Sequence, residues 1–431
     1  MMSRRPIAST ACWMNRLACA AAIAAWLAAG AAAPAPATNV IADWDEKAIA
    51  ATAPLVSVPS PSAPYAAYRM MGMVHAAMFD AVNSIERRYR PYLVQLPADP
   101  GTSKEAAAAT AAAAVLATID AKTAGEIKIA LDSYLASIPD GPAKADGVKL
   151  GEAVAAKVLA ARAGDGSDAP DDYRPLTKPG VYVPTPIMRG PMWPRVKPFA
   201  IASASQFRPG PPVPLKSKEW ATDLNEIRSQ GAKKSASRTD QQTETARFWL
   251  VAGPVAYHPF LRQLAIAEQM SVVDSARLMA LGSFALNDAL IAVLDAKYHY
   301  NFWRPVTAIR NADIDGNAAT DREAAWQPIA DTPMHPEYPC AHCAVSGSVA
   351  GVVKAVFGTD DIPEIATTSP SAPGVIHRWT NLKAFTDEVA NARIWAGFHY
   401  RFSTHAGTNL GLRVGEQVVK TVLQPLQTSS R

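Results

Sequence analysis

Apolar residues recur at three- and four-residue intervals along most of this chain, the spacing of one buried helix face. Tyr65 to Val82 shows it well, with Met70, Met73, Val74, Ala77, Met78 and Ala81 on one side. Ser103 to Ile119 is Ala-rich, and Ser103 is placed to cap it. The pattern continues through Thr123–Ile138 and Ala143–Ala163. It resumes at about Ser217, then over Asp240–Leu250, Pro259–Met270 and Ser271–Tyr298. The last of these is apolar on most sides, which predicts a central helix. Cys343–Phe357, Leu382–Trp395 and Ala406–Leu423 complete the series. No stretch alternates β-branched and polar residues long enough to demand a sheet. The reading is an all-α protein, one large helical-bundle domain over residues 38–431.

Residues 165–214 interrupt the helices between an N-terminal group (65–163) and a C-terminal half (240–424). The interruption is rich in Pro and Gly, with Tyr173, Tyr182, Trp193, Phe199 and Phe207 interleaved. Such a segment cannot be regular helix. Its aromatics favour an ordered excursion wrapping the core and shaping a substrate entrance, with a linker between two helical halves as the alternative. A loop is expected from Asn311 to Tyr338. Its Asp313-x-Asp315-Gly316-Asn317 stretch is excluded as a calcium loop, because the glycine is at the wrong offset and Ala324 occupies the closing acidic position.

Composition adds a compartment and removes some partners. Of 431 residues, 49% are hydrophobic and 19% charged, a globular balance. The formal charge is +4, three of it from Arg4, Arg5 and Arg16. Without them the chain is close to neutral, and no Lys/Arg run supports nucleic-acid binding. Those arginines precede an apolar stretch from Leu17 to Ala33 and a small-residue cleavage candidate at Ala35-Pro36-Ala37. This predicts an export signal over 1–37 and a periplasmic or secreted protein, with a membrane anchor as the alternative. Arg16 makes Cys19 a poor lipidation site, and no later segment reads as a membrane span. Cys340 and Cys343 remain as a C-x-x-C pair that could close a disulfide in an oxidising compartment. Apolar helix faces are compatible with a homodimer.

Three segments carry the candidate chemistry. In Lys297-x6-Arg304-Pro305, two cations flank a helix end and could clamp the oxygens of an anion. They could equally be cations favoured by the helix dipole. In Pro339-Cys340-Ala341-His342, a proline turn feeds a helix N-terminus, a natural anion site. His342 would stand at its mouth, or serve as a packed or capping residue. In Arg393-x5-His399, Gly397 permits close backbone approach, and His399 offers a nucleophilic or ligating nitrogen.

Taken together, the order and internal spacing of these segments resemble the signature of the phosphatidic acid phosphatase type 2/haloperoxidase superfamily, K-x6-RP, PSGH and SR-x5-H. The stretches Asp295–Ile309, His335–Pro339 and Arg393–Phe402 resemble its vanadium-dependent haloperoxidase-like branch. The resemblance covers mainly residues 240–420 and implies a helical bundle. It also implies that Lys297, Arg304 and Arg393 bind oxyanion oxygens, with a backbone donor at Ala341 and a side-chain donor at position 340. His342 would be the general acid–base. His399 would ligate vanadium, or form a phosphohistidine in a phosphatase.

Four positions depart from the signature. Cys340 replaces serine, Ala341 replaces glycine, Ala392 replaces the serine before the arginine, and Ser403 stands where an aspartate often orients the imidazole. A thiol at 340 would be oxidised beside peroxide unless joined to Cys343. The leading expectation is an exported vanadate-dependent haloperoxidase-like enzyme using hydrogen peroxide and halide. Its alternatives are an acid phosphatase with phosphate in the same site and a phosphoester substrate, and a non-catalytic oxyanion-binding protein.

Overall fold

The structure is a computed structural model that describes residues 39–57, 60–185, 187–251 and 253–426. The export segment expected at 1–37 lies outside the described residues. In chain order the helices are α1 (Val40–Ser57), α2 (Tyr65–Glu86), α3 (Lys104–Leu116), α4 (Ala121–Ala136) and α5 (Pro142–Arg162). Next come α6 (Lys218–Gln230), α7 (Asp240–Phe248), α8 (His258–Ala267), α9 (Val272–Tyr300) and α10 (Pro305–Arg310). The last are α11 (Ala341–Phe357), α12 (Leu382–Trp395) and α13 (Arg401–Thr421). The all-α reading holds, the cap expected at Ser103 is present, and Ser217 caps α6. Ser103 accepts from the Ala106 amide, and Ser217 from the Trp220 amide.

Helix α9 is the axis of the bundle and packs against α2, α11 and α13. It is long and apolar enough to cross a membrane, yet 94% of its apolar window is buried inside the fold. An all-round apolar helix in a core passes the same compositional test as a span.

Helices α11 and α13 run parallel along a seam of small residues. Gly407 lies on the Cys340 carbonyl, Gly411 on that of Ala344, and Gly415 on that of Ser348. Both residue series ascend together, so the two N-termini lie at the same end of the bundle. Between these helices the sequence analysis missed a hairpin, β1 (Asp361–Ser369) antiparallel to β2 (Ala372–Asn381). Pro363 and Pro373 interrupt its strand pattern. Inward-facing Ile365 and Trp379 nonetheless join the core. The 18-residue α1 and the short α10 were also unanticipated.

The Pro-rich excursion is tied to the bundle along its length. Asp288 of α9 accepts the amides of Phe199, Ala200 and Ile201 at 2.7–3.0 Å. Asp165 pairs with Arg69 and Arg162. The Tyr182 amide donates to the Asn301 carbonyl, and the Trp303 amide to that of Gly180. These bonds bring the excursion onto the loop that carries Arg304.

Candidate active site

Each signature segment is a helix end. Lys297 lies in the last turn of α9. Asn301 ends that helix in the left-handed conformation (φ 50°), and Arg304 begins α10 with Pro305 in its first turn. The chain thus reverses between the two cations. Arg393 lies in the last turn of α12. Gly397 (φ 79°) turns the chain so tightly that a side chain there would strike the Gly231 carbonyl. His399 follows, just before α13. Ala341 and His342 open α11, and their amides have no acceptor among the described residues.

The three cations are buried: Lys297 is 0% exposed, Arg304 1% and Arg393 1%. Lys297 Nζ donates to the carbonyls of Pro336 (3.0 Å) and Glu337 (2.7 Å). Arg304 donates from Nε to the His335 carbonyl and from Nη1 to the Phe398 carbonyl and His399 Nε2 (3.3 Å). Arg393 donates to the Trp249 carbonyl, while its buried Nε has no acceptor among the described residues. Burial, then the neighbouring Arg304, pulls the Lys297 ammonium well below its ordinary range, and burial brings Arg393 down to about 9. Glu337 is the buried carboxylate among them. Burial raises it to about 7, against the pull of Lys297 and Arg304.

Glu337 supplies what Ser403 does not. Its Oε1 accepts from His399 Nδ1 at 2.8 Å and from the Tyr400 amide at 3.1 Å. A carboxylate at Nδ1 and a guanidinium donor at Nε2 together fix the tautomer of His399: the proton sits on Nδ1, and Nε2 keeps its lone pair. Burial, then Arg304 and Lys297, holds His399 well below its ordinary pKa, so the ring stays neutral. The sequence displayed Glu337 within His335–Pro339, but its link to His399 spans 62 residues and two loops.

His335 is a second site residue that the sequence reading passed over. Its Nδ1 lies between Arg304 Nη2 (3.0 Å) and the Pro336 carbonyl (3.1 Å). Burial and the cations Lys297 and Arg304 keep this ring neutral too. His342 Nε2 donates to the Val251 carbonyl at 2.8 Å, so its Nδ1 is bare. Burial and Arg393 push its pKa well down.

A cavity of about 500 Å³ opens onto His335, Ala341, His342, Arg393 and His399. Lys297 and Arg304 lie beneath that surface, Arg304 in contact with His399. Cys340 does not share the arrangement. Its Sγ is bonded to that of Cys343, and both sit fully buried beside Ala390. It therefore has no thiol to donate to an anion, and the oxidation conflict raised by a free thiol falls away. The first carboxylate-and-histidine cluster outside this site is Asp45, His75 and His258, which could hold a metal ion by its donor types. Arg262 already pairs with Asp45 there, and the cluster ties α1, α2 and α8 together.

Comparison with known proteins agrees with this geometry. Residues 277–428 match the family model described as the VCPO second helical-bundle domain. The vanadium chloroperoxidase of Curvularia inaequalis is 23% identical over 233 residues, which are 41% of this chain and 38% of that protein's length. The crystal structure of a bacterial vanadium-dependent iodoperoxidase superposes with a TM-score of 0.77 at 23% identity, covering 90% of this chain and 98% of that one. An apo-type bacterial vanadium-dependent chloroperoxidase gives 0.68 at 18% identity, covering 83% and 94%. The family match covers residues 277–428, and the structural likeness shows that the chain shares the fold of the bacterial vanadium-dependent haloperoxidases.

Proposed function

We propose that the protein is an exported, vanadate-dependent haloperoxidase that uses hydrogen peroxide to oxidise a halide. The observation that carries this reading is buried positive charge that the protein's own carboxylates do not balance. Lys297, Arg304 and Arg393 converge within one low-dielectric region, and Glu337 beside them is committed to His399. Unpaired buried charge is costly, and a multiply charged oxyanion is the ligand that offsets it. The N-terminus of α11, with Ala341 and His342 at the cavity, adds to the attraction.

The donor set fits vanadate. The unprotonated Nε2 of His399, which here accepts from Arg304, would be the ligating atom, and the orphaned Arg393 Nε, the third Lys297 proton and the amides of Ala341 and His342 would donate to its oxygens. When bound, vanadate supplies a Lewis-acidic centre that activates peroxide toward halide. His335 lines the same cavity and adds a second neutral imidazole for proton transfer. His342 takes up a proton at Nδ1, a task eased once negative charge offsets Arg393. The disulfide at Cys340 favours this oxidative chemistry and suits an oxidising compartment.

The unprotonated Nε2 of His399 also suits attack on phosphorus, which makes an acid phosphatase with a phosphohistidine intermediate the second reading. One paired assay separates them. Vanadate-dependent oxidation of a phenolic dye with iodide or bromide and peroxide is the expected result, lost in His399→Ala. Nitrophenyl phosphate hydrolysis that vanadate inhibits would transfer the site to the phosphatase reading. Failure of both, with vanadate still bound, would leave a non-catalytic anion binder.

A further inference from the structure

The cavity contains a cation that the three signature segments do not supply. Arg189, from the Pro-rich excursion, lines it together with Tyr65, Leu290 and Met334. The guanidinium makes no hydrogen bond or ion pair among the described residues, and its Nε is fully buried without an acceptor. Asp331 also lines the cavity, but it is exposed and not paired with Arg189. This arginine is a built position. Its amide donates to the Met334 carbonyl at 2.8 Å, and Tyr298 Oη donates to its carbonyl at 2.6 Å. The next residue, Gly190 (φ 75°), lies so close to Tyr65 and Leu294 that a side chain would not fit, and its amide donates to the Pro61 carbonyl. Arg189 and Tyr65 line the same cavity as His335, His342, Arg393 and His399.

We infer that this cavity binds a small aromatic carboxylic acid, with Arg189 holding the carboxylate and the ring lying beside the oxyanion cradle. The inference deepens the peroxidase reading by naming the class of organic acceptor. A volume of about 500 Å³ is that of a small-molecule site. A four-oxygen anion fills a minor part of it. The remaining walls, including Tyr65, Tyr257, Leu290 and Phe398, are aromatic or aliphatic and suit a ring. A planar guanidinium with free donors matches a carboxylate fork. The overall reaction then balances as ring hydrogen, halide, hydrogen peroxide and a proton giving an aryl halide and water, the ring proton leaving as the carbon–halogen bond forms.

Calorimetric titration of the vanadate-loaded protein with 4-hydroxybenzoate, phenol and sulfate tests this without turnover, in wild type, Arg189→Met and Arg189→Lys. Loss of a charge-assisted pair predicts at least about tenfold weaker 4-hydroxybenzoate binding in the Met variant. Partial recovery is expected in the Lys variant, with phenol and vanadate affinities unchanged. Equal 4-hydroxybenzoate affinity in wild type and Arg189→Met would overturn the inference. So would Arg189-dependent sulfate binding of equal strength, which would mark an inorganic anion site, or displacement of vanadate by 4-hydroxybenzoate. If the protein binds no vanadate, the peroxidase reading fails. The same titrations in its absence still decide the role of Arg189.

Discussion

Replacing Glu337 by Gln tests the arrangement around His399 most directly. The amide keeps the shape and can still accept from Nδ1, so the ring stays in place while the negative charge is removed. Substitution of such outer partners lowers metal affinity about 10–100-fold. That range corresponds to about 1.4–2.8 kcal/mol, the size of one charge-assisted hydrogen bond. The pH dependence adds a second readout. Glu337 is raised by burial to about 7, so in wild type vanadate binding should strengthen as pH rises through about 7. In Glu337→Gln that step should vanish. Stability should move the other way. The folded protein keeps this proton while the unfolded chain has lost it from pH 4.5 upward, so the contribution is full below 4.5 and is lost as pH approaches 7. The shift amounts to about 3 kcal/mol. The Gln variant should therefore melt no lower than wild type at pH 8 while binding vanadate more weakly. Binding by fluorescence quenching and melting by calorimetry, both across pH 5–9, supply the data. Wild-type vanadate affinity in Glu337→Gln at pH 8 would refute the assignment of Glu337 as the group that orients His399.

Two further substitutions test the scaffold. Gly411→Ala places a methyl on the Ala344 carbonyl, where backbone meets backbone and no side chain can yield. It should cost about 1–3 kcal/mol in urea denaturation. It should also weaken vanadate binding, because the α11–α13 register sets the separation of His342 and His399. Asp45→Asn removes the carboxylate shared by His75, His258 and Arg262 and should cost about 3–5 kcal/mol. Burial opposes charge on Asp45, yet His258 and His75 hold its carboxyl well below the usual range. Its contribution is therefore present above about pH 4 and lost as the medium becomes more acidic, and the Asn variant should lack that acid-dependent loss in pH-resolved melts.

Helices and their ends were legible because their signals are local. Ser103 and the apolar run of α9 each declare themselves within a few residues. Lys297, Arg304, His342, Arg393 and His399 drew notice because the order and internal spacing of three short segments resemble the superfamily signature, whereas each segment alone left a structural role open. Glu337 was visible but unreadable in its role. The signature suggested a carboxylate at 403, four residues past His399, whereas the chain brings one from another loop. Arg189 gave no signal at all, since only the fold sets an excursion arginine beside Tyr65. The hairpin was hidden by Pro363 and Pro373 within its strands, and its burial is decided by the core it meets. The pairing of Cys340 with Cys343 was one of two open readings until the turn before α11 joined them.

The parallel setting of α11 and α13 has a consequence for how such a protein can change. Two glycine-lined rods locked side by side hold the reactive imidazoles at a fixed gauge, while Arg189 belongs to a ribbon laid over them from elsewhere in the chain. Revising that ribbon alters which guest is admitted and leaves the reacting nitrogens where they stand, so a new clientele can arise without rebuilding the furnace.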